Sequence, residues 1–384
     1  MKSKSSHSMN PDSYEAGFEI GKSLADIKPE AIFLLSSIHY DFREIFDGLY
    51  DGLGSRDMII FGGTSDGFYE GACVSNIGVS ALGLNSYKKI RWSVSIQKGW
   101  DVDSYGAAQK CMKALLHKMN GRVDIAVVMA DLGCDGVKVV EGVRDVFHKP
   151  FVGGLTGDDW NFKEGYVFVN GEIYRNSVGI LGMSGDFSFA LNTASGWKPL
   201  GKTGTIEESQ GNVVHLIDGK TAFDFLEEQY GIPPAEVALG VIPLAVYESE
   251  LSENFFLRAP AKIDMASGKI TYFGSIDEGK QVRVCCATEE DVVSGVNEAL
   301  TGVGAFGFKP ECAFIVSCAS RKWILKERIS EEINRVFNLM GKALPLLGFR
   351  SFGEIGPFRK PNGAYTNVFF HNESYAILFL GDSE

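Results

Sequence analysis

The chain runs to 384 residues with 45% apolar content and a formal net charge of −12 at pH 7, long enough for two domains with well-filled cores. An acidic balance of this size opposes phosphate backbones and anionic bilayers, which are bound by concentrated Lys and Arg, so neither a nucleic-acid partner nor membrane insertion is expected. No stretch approaches the roughly 18 to 20 apolar residues of a membrane span. The opening MKSKSSHSMN lacks the apolar segment of a signal peptide, and the expected localisation is cytoplasmic.

Residues 1–27 read as a tail and lead-in. A first βαβ pattern comes next: an apolar run at 31–35, a helix with Phe42, Ile45, Phe46, Leu49 and Leu53 on one face, and a second run at 58–61 entering a glycine turn, Gly62-Gly63-Thr64-Ser65-Asp66-Gly67. Hairpin-like strands are expected over 74–84 and a helix over Ser104–Lys118. The second copy has a run at 125–129, a helix carrying Val139, Val140, Val143, Val146 and Phe147, and Phe151-Val152 entering Gly153-Gly154-Leu155-Thr156-Gly157-Asp158. Its hairpin is expected over 166–183, turning at Asn170-Gly171. A helix at 221–229 precedes the Gly/Pro break at 230–234, which divides the chain into domains 28–230 and 231–384. In the second of these, Thr288 with Asp291 begins a helix over 289–300 in a near capping box. The third copy has a run at 313–316, a helix with Ile329, Ile333, Val336, Phe337 and Met340, and Leu346-Leu347 entering Gly348 and then Gly353-Glu354. A hairpin over 365–380 bends at Asn372. The expected fold class is α/β, with two lobes built from repeated βαβ-plus-hairpin units with mixed sheets.

Open α/β sheets bind ligands beyond the carboxyl ends of their parallel strands. Gly62, Gly63, Thr64, Gly153 and Gly154 would there let backbone N–H groups approach a ligand, unless the glycines are plain turns. Asp158, followed by Asp159, suggests a hard-metal ligand or a solvated turn. Gly302 to Gly307 spells G-x-G-x-x-G but follows a helix and precedes Pro310 and a strand, the reverse of the dinucleotide order, and reads as a loop. Cys318, Ser320 and Arg321 follow the first strand of the third copy, and Gly353-Glu354 follow its second, so a thiol, a guanidinium and a carboxylate emerge on one sheet edge. Arg321 and Glu354 would clamp the two ends of an amino-acid-like ligand or pair with each other structurally. Thr366 would add a hydrogen bond or serve as a strand residue. Seven cysteines without a C-x-x-C pair read as reduced thiols, and Cys318 lacks the nearby histidine that a nucleophile needs.

The stretch 151–231, with its Gly-Gly segment, "NGE" hairpin and "GWKPLG" loop, resembles the FIST sensor family. Ser317-Cys318-Ala319-Ser320-Arg321 and the segment 348–357 resemble the two landmarks of that family's second half. The resemblance spans roughly residues 28–380. It implies a cytoplasmic ligand-sensing module, its ligand generally unassigned, that reports to a separate signalling output protein, and an expected role as a sensor rather than an enzyme; an Arg321–Glu354 clamp would make the ligand an amino acid or related small carboxylate. Two alternatives are a haem-binding gas sensor, since some family members bind haem, and an enzyme using Cys318 or Glu354. Haem would require an axial ligand, for which His39 at the first strand end is the candidate.

Overall fold

The computed structural model describes residues 1–234, 241–249, 254–302 and 307–383. The chain writes one pattern three times. The first unit is β1 (Lys2–Ser8), α1 (Ser13–Leu24), β2 (Ala31–Ser36), α2 (Phe42–Leu53), β3 (Ile59–Thr64), a small hairpin β4 (Phe68–Glu70) and β5 (Cys73–Ser75), and β6 (Val79–Asn85). The second is β7 (Ile90–Lys98), α3 (Ser104–Lys118), β8 (Ile125–Ala130), α4 (Gly136–Arg144), β9 (Phe151–Leu155), the hairpin β10 (Val167–Val169) and β11 (Glu172–Tyr174), and β12 (Ser177–Gly185). The third opens with β13 (Ser188–Ala194) and then admits a long insertion: β14 (Lys198–Gln210), β15 (Val213–Ile217), β16 (Lys220–Thr221), α5 (Ala222–Tyr230), β17 (Leu244–Tyr247), β18 (Phe255–Arg258), β19 (Pro260–Asp264), β20 (Lys269–Tyr272) and β21 (Gln281–Cys286). It resumes with α6 (Glu289–Ala299), β22 (Cys312–Cys318), α7 (Ala319–Leu325), α8 (Glu331–Met340), β23 (Leu346–Ser351), the hairpin β24 (Glu354–Arg359) and β25 (Tyr365–His371), and β26 (Tyr375–Gly381). The mixed α/β class and the repeated βαβ-plus-hairpin unit are as the apolar periodicities imply.

Each unit contributes four strands to a six-stranded mixed sheet, in the orders β1-β6-β2-β3, β7-β12-β8-β9 and β13-β26-β22-β23. The last two places are filled from another unit. β10 of the second unit pairs with β3 of the first, β24 of the third with β9 of the second, and β4 of the first with β23 of the third. The hairpins are thus handed round in a ring. This corrects the hairpins expected over 74–84, 166–183 and 365–380, because β6, β12 and β26 return to their own sheets while the strand before each lies in a neighbour's. Alternation identifies a strand but not its partner, and here the partner lies far away in sequence. The Asn170-Gly171 turn does form, with φ of 50° and 86°, between β10 and β11.

The inner faces of the three sheets share one core, in which Phe33 stacks on Phe314 with centroids 4.9 Å apart. Helices cover the outer faces, each with its own apolar cluster. Side-chain caps set where these helices start: Asp41 accepts from the N–H groups of Arg43 and Glu44, Asp135 does the same for α4, and Thr288 with Asp291 forms a full capping box on α6. Residues 1–27 are part of this architecture rather than a tail. β1 pairs with β6 along its length, and α1 lies against α2 with Gly17 facing the Ile45 carbonyl and Gly48 facing that of Tyr14, too close for any Cβ.

The glycines at 62–63 and 153–154 also depart from expectation, since they lie inside β3 and β9 rather than in turns. A Cβ on Gly62 would sit 1.7 Å from the Leu34 carbonyl oxygen of the neighbouring parallel strand. Close backbone approach, not a turn, is what requires glycine there.

The insertion forms an eight-stranded sheet ordered β18-β17-β21-β14-β15-β20-β19, with β16 beside β15. Its two outermost strands, β18 and β19, are consecutive in the chain and separated only by Ala259, so the sheet curls back on itself around the core of Ile206, Phe225, Leu226 and Tyr272. Gly231, with φ 72°, ends α5 within this element. Residues 303–306 of the G-x-G-x-x-G stretch lie outside the described residues.

Replacing Gly62 with alanine forces two backbones apart in the central core. An expected loss of about 1 to 3 kcal/mol results, read as a lower midpoint in urea unfolding. An unchanged midpoint would contradict the strand pairing at this position.

Candidate functional site

β22 and β23 run parallel in register, which sets Cys318 directly beside Ser351 at the carboxyl end of the sheet. Three other segments reach this edge. The first is the loop after β9, where the Asp158 carboxylate accepts the N–H groups of Phe162, Lys163 and Glu164 at 2.9, 2.7 and 3.1 Å. That knot folds the loop tightly, with Asp159, Trp160 and Phe162 all at positive φ, and brings Trp160 and Phe162 over the strand ends. The second is the bend Ala259-Pro260-Ala261 of the curled sheet, with Phe273. The third is Asn372-Glu373, where the chain leaves β25 in one sheet for β26 in another. Together they line a cavity of about 250 Å³, open to solvent on one side, whose lining also includes Ala319, Ser320 and Phe352.

The walls are aromatic. Phe162 stacks on Phe352 at 4.8 Å and on Phe273 at 5.8 Å, while Trp160 meets Phe352 at 5.5 Å and Trp323 edge-on at 5.6 Å. The indole N–H of Trp160 is held by Asp66 at 2.9 Å. A second cavity of about 350 Å³ lies at the carboxyl end of β8, lined by Cys134, Asp135 and Tyr272 among others, and shares Ala261, Phe162, Phe273 and Phe352 with the first. The shared rings form a septum between the two.

The floor is polar and buried. Cys318 Sγ lies 2.9 Å from Ser320 Oγ, which donates to Glu373 Oε2 at 2.5 Å. Ser351 Oγ donates to Glu354 Oε1 at 2.9 Å, and Ser374 gives its N–H and hydroxyl to Glu354 Oε2 at 3.1 and 2.9 Å. Burial pushes both carboxyls up to about 8, against which the serine bonds act, aided at Glu373 by the Arg321 charge. The Cys318 thiol is raised well above its ordinary value by burial and by the two glutamates. It is therefore protonated at neutral pH, the opposite of an activated nucleophile.

Arg321 lies behind this floor, its Nη1 3.5 Å from the Glu373 carbonyl, but does not line the cavity. Its side chain and that of Glu332 are both fully buried, with Nε donating to Glu332 Oε1 at 2.6 Å, Nη1 to the Ser195 carbonyl at 3.0 Å and Nη2 to the Val292 carbonyl at 2.8 Å. Neither the Arg321–Glu354 clamp nor the Arg321–Glu354 structural pair is formed. Cys318 already closes the strand, so Arg321 falls on the first turn of α7 and points between α6 and α8 instead of across the sheet edge. Glu332 completes the knot by accepting from Tyr69 and Ser317 hydroxyls at 2.6 and 2.9 Å.

Of the other residues singled out in the sequence, Cys318 and Ser320 line the cavity, and Glu354 lies behind Ser351. Gly353 packs under the Phe370 ring, and Gly154 abuts Ser351 Oγ and the Gly353 carbonyl. Asp158 shapes the aromatic loop without lining the cavity. Gly62, Gly63 and Gly153 are strand residues, and Thr64 Oγ1 accepts the Tyr166 N–H at 3.1 Å. Thr366 bonds Phe358 N within the β24–β25 hairpin. His39 is on the surface, 3.0 Å from Asp159 with both side chains 45% exposed. The residues that sequence reasoning missed are Trp160, Phe162, Phe273, Phe352 and Glu373. The cluster DDWNF offered a signal, since two large aromatics in a polar loop call for an explanation; Glu373 offered none, because its place depends on the ring of exchanged hairpins.

Residues 30–220 match the FIST N domain family model and residues 222–357 the FIST C domain model. The chain belongs to the FIST family. FIST domains are small-ligand sensor domains of signalling proteins. The protein is 23% identical over 279 residues to an uncharacterized protein of Methanocaldococcus jannaschii, a match covering 67% of this chain and 52% of that protein, so it spans about half the length of this curated relative. Among solved structures, PurLQS from Thermotoga maritima aligns over 100% of this chain and 72% of its own at 12% identity and a TM-score of 0.21, too low to carry any argument.

The residues present do not fit the haem alternative for this FIST protein at its cavity. No histidine lines it, and about 250 Å³ is below the roughly 300–1,000 Å³ of pockets for drug-sized ligands. Among the described residues no helix is long and apolar enough to cross a membrane.

Two outcomes are expected. Arg321→Ala leaves Glu332 buried without its partner and should cost about 3 to 5 kcal/mol of stability, seen as a large drop in melting temperature; a wild-type melt would contradict the structural role. The second concerns pH. Glu354 and Glu373 keep their protons in the folded protein up to about 8, whereas the unfolded chain loses them near 4.5, so stability falls as pH rises through that window. Buried His371, lowered to about 4, acts in the opposite sense below about 6.5. Urea midpoints are therefore expected to decline between pH 6.5 and 8, with a flatter profile in Glu354→Gln and Glu373→Gln. A profile unchanged by either variant would contradict the buried, protonated carboxyls.

Proposed function

We propose that this FIST protein is a cytoplasmic sensor that binds a small molecule in the aromatic-walled cavity at the ends of β22 and β23 and passes its occupancy to a separate signalling protein. The observation that carries the reading is the composition of the cavity wall. Its lining comes from three parts of the chain that meet at this point: the third unit's strand ends, the second unit's Asp158-knotted loop, and the curled insertion. A molecule bound among them gains contacts with all three at once and favours the arrangement in which they close on it. A ligand shifts a conformational equilibrium only by its differential contacts with the two states, and a three-sided cavity supplies such contacts. Family membership supports the sensing role.

The floor bears on the ligand. An amino acid or small carboxylate was expected because Arg321 would receive its carboxylate, but that guanidinium is committed to Glu332. A carboxylate placed here would face Glu373 with no cation among the lining residues. An enzymatic role using Cys318 or Glu354 has little support, since both groups hold their protons and neither is paired with a base.

The test is a thermal-shift screen of small metabolites. Hits are expected to raise the melting temperature of the wild type and to lose that effect in Ala261→Phe, which crowds both this cavity and the second, whose wall Ala261 shares, and to be weakened in Glu373→Gln, which changes only this cavity's lining, while the ligand-free melting temperature of Ala261→Phe stays within a degree or two. Hits equally effective on Ala261→Phe would place the ligand elsewhere.

A further inference from the structure

We infer that the cavity is built for a small organic cation, an amine or quaternary ammonium, held by the Glu373 carboxylate and packed against the aromatic walls formed by Trp160, Phe162, Phe273 and Phe352. This rests on the cavity being the ligand site and adds the chemical class of the ligand.

Three observations converge. The cavity has no lysine, arginine or histidine among its lining residues, and its one ionisable oxygen group is the carboxyl of Glu373. Glu354 lies one serine further back, so the floor carries two acids. The cations nearest in the chain are committed elsewhere: Arg321 is paired with Glu332, and Lys322 lies 3.7 Å from Asp66. The walls are aromatic rings, against which the alkyl groups of an ammonium pack, and any ring face turned to the cation adds attraction. Such aromatic cages with an acidic floor match a cation that is too weakly hydrated to resist entry. A neutral ligand of the same shape gains the apolar contact but no charge compensation, and an anion finds no cation among the lining residues to pair with.

Empty, the cavity avoids a buried unpaired charge because Glu373 keeps its proton. On binding a cation, that proton goes to water and the resulting carboxylate pairs with the ligand. The groups facing Glu373 are Ser320 and Arg321 from α7, Cys318 from the strand end and Glu354 from β24. Burial opposes the ionised form of Glu373, and the Ser320 bond and the Arg321 charge favour it. Affinity for a cation that itself cannot titrate should therefore rise with pH up to and slightly beyond about 8, where Glu373 deprotonates without help.

Isothermal titration calorimetry with tetramethylammonium, choline, its neutral isostere 3,3-dimethyl-1-butanol, and acetate tests this on the full chain. The cations should bind, the isostere at least about tenfold more weakly, and acetate least of all. Glu373→Gln, isosteric and checked for an unchanged melt, should weaken choline by about 10- to 100-fold and abolish its pH dependence. Phe162→Leu, at a 44% exposed position that does not hold the core, should weaken it by about 2- to 30-fold. Equal binding of choline and its isostere, or choline binding indifferent to Glu373→Gln, would overturn the cation while leaving the cavity as the ligand site. Metabolite hits that survive Ala261→Phe, with no cation binding at all, would overturn both.

Discussion

Each of the strands β3, β9 and β23 would be an open sheet edge if its unit folded alone, with a row of unpaired N–H and C=O groups. The ring of hairpins closes all three edges at once, and no unit can be completed without another. Single backbone bonds lock the junction: Asp66 N–H to the Arg350 carbonyl at 3.2 Å, Gly157 N–H to the Thr64 carbonyl at 3.1 Å, and Leu155 N–H to the Gly353 carbonyl at 2.9 Å. Each links the segment after one parallel strand to the strand end of another unit. The rest of the structure depends on this mutual edge capping. It brings Gly154 of the second unit against Ser351 and Gly353 of the third, draws the carboxyl ends of three parallel pairs together, and leaves the bend Asn372-Glu373 at a sheet crossing beside them.

The site is a consequence of the same constraint. The units share one backbone plan but differ in the residues placed just after their parallel strands. In the first, Asp66 is buried with burial pushing its carboxyl up to about 6, and it is spent holding the Trp160 indole. In the second, Asp158 knots the aromatic loop. In the third, Glu354 stabilises the floor through Ser351 and Ser374. Three acidic residues at corresponding places thus take different tasks: one orients a wall, one shapes it, and one supports the floor. The insertion between β13 and α6 supplies the remaining side through Ala259, Pro260, Ala261 and Phe273.

How much of this was legible depends on the range of the interactions involved. The βαβ elements are local, and the spacing of Val139, Val140 and Val143 or of Ile333, Val336 and Phe337 identifies buried helical faces that the structure confirms. The Asn170-Gly171 turn and the Thr288–Asp291 cap are equally local and are present as read. The partners of the hairpins are not, because β24 lies some two hundred residues from β9 and nothing in either short strand specifies the other. The Arg321–Glu354 contact failed for a related reason: both residues were placed on the correct sheet edge, but side-chain direction on the first turn of α7 decides where a guanidinium goes. Gly17 with Gly21 and Gly48 with Gly52, each four apart, were a readable sign that the lead-in packs as a helix against α2.

Hydrogen–deuterium exchange, measured with and without a saturating ligand identified by screening, tests most directly whether the meeting place of the three segments is the sensing site. Protection should rise together in peptides covering 156–166, 259–261 and 318–320, with little change at the corresponding strand end of the first unit, 37–40. Protection confined to the first unit, or to the outer helices, would contradict it.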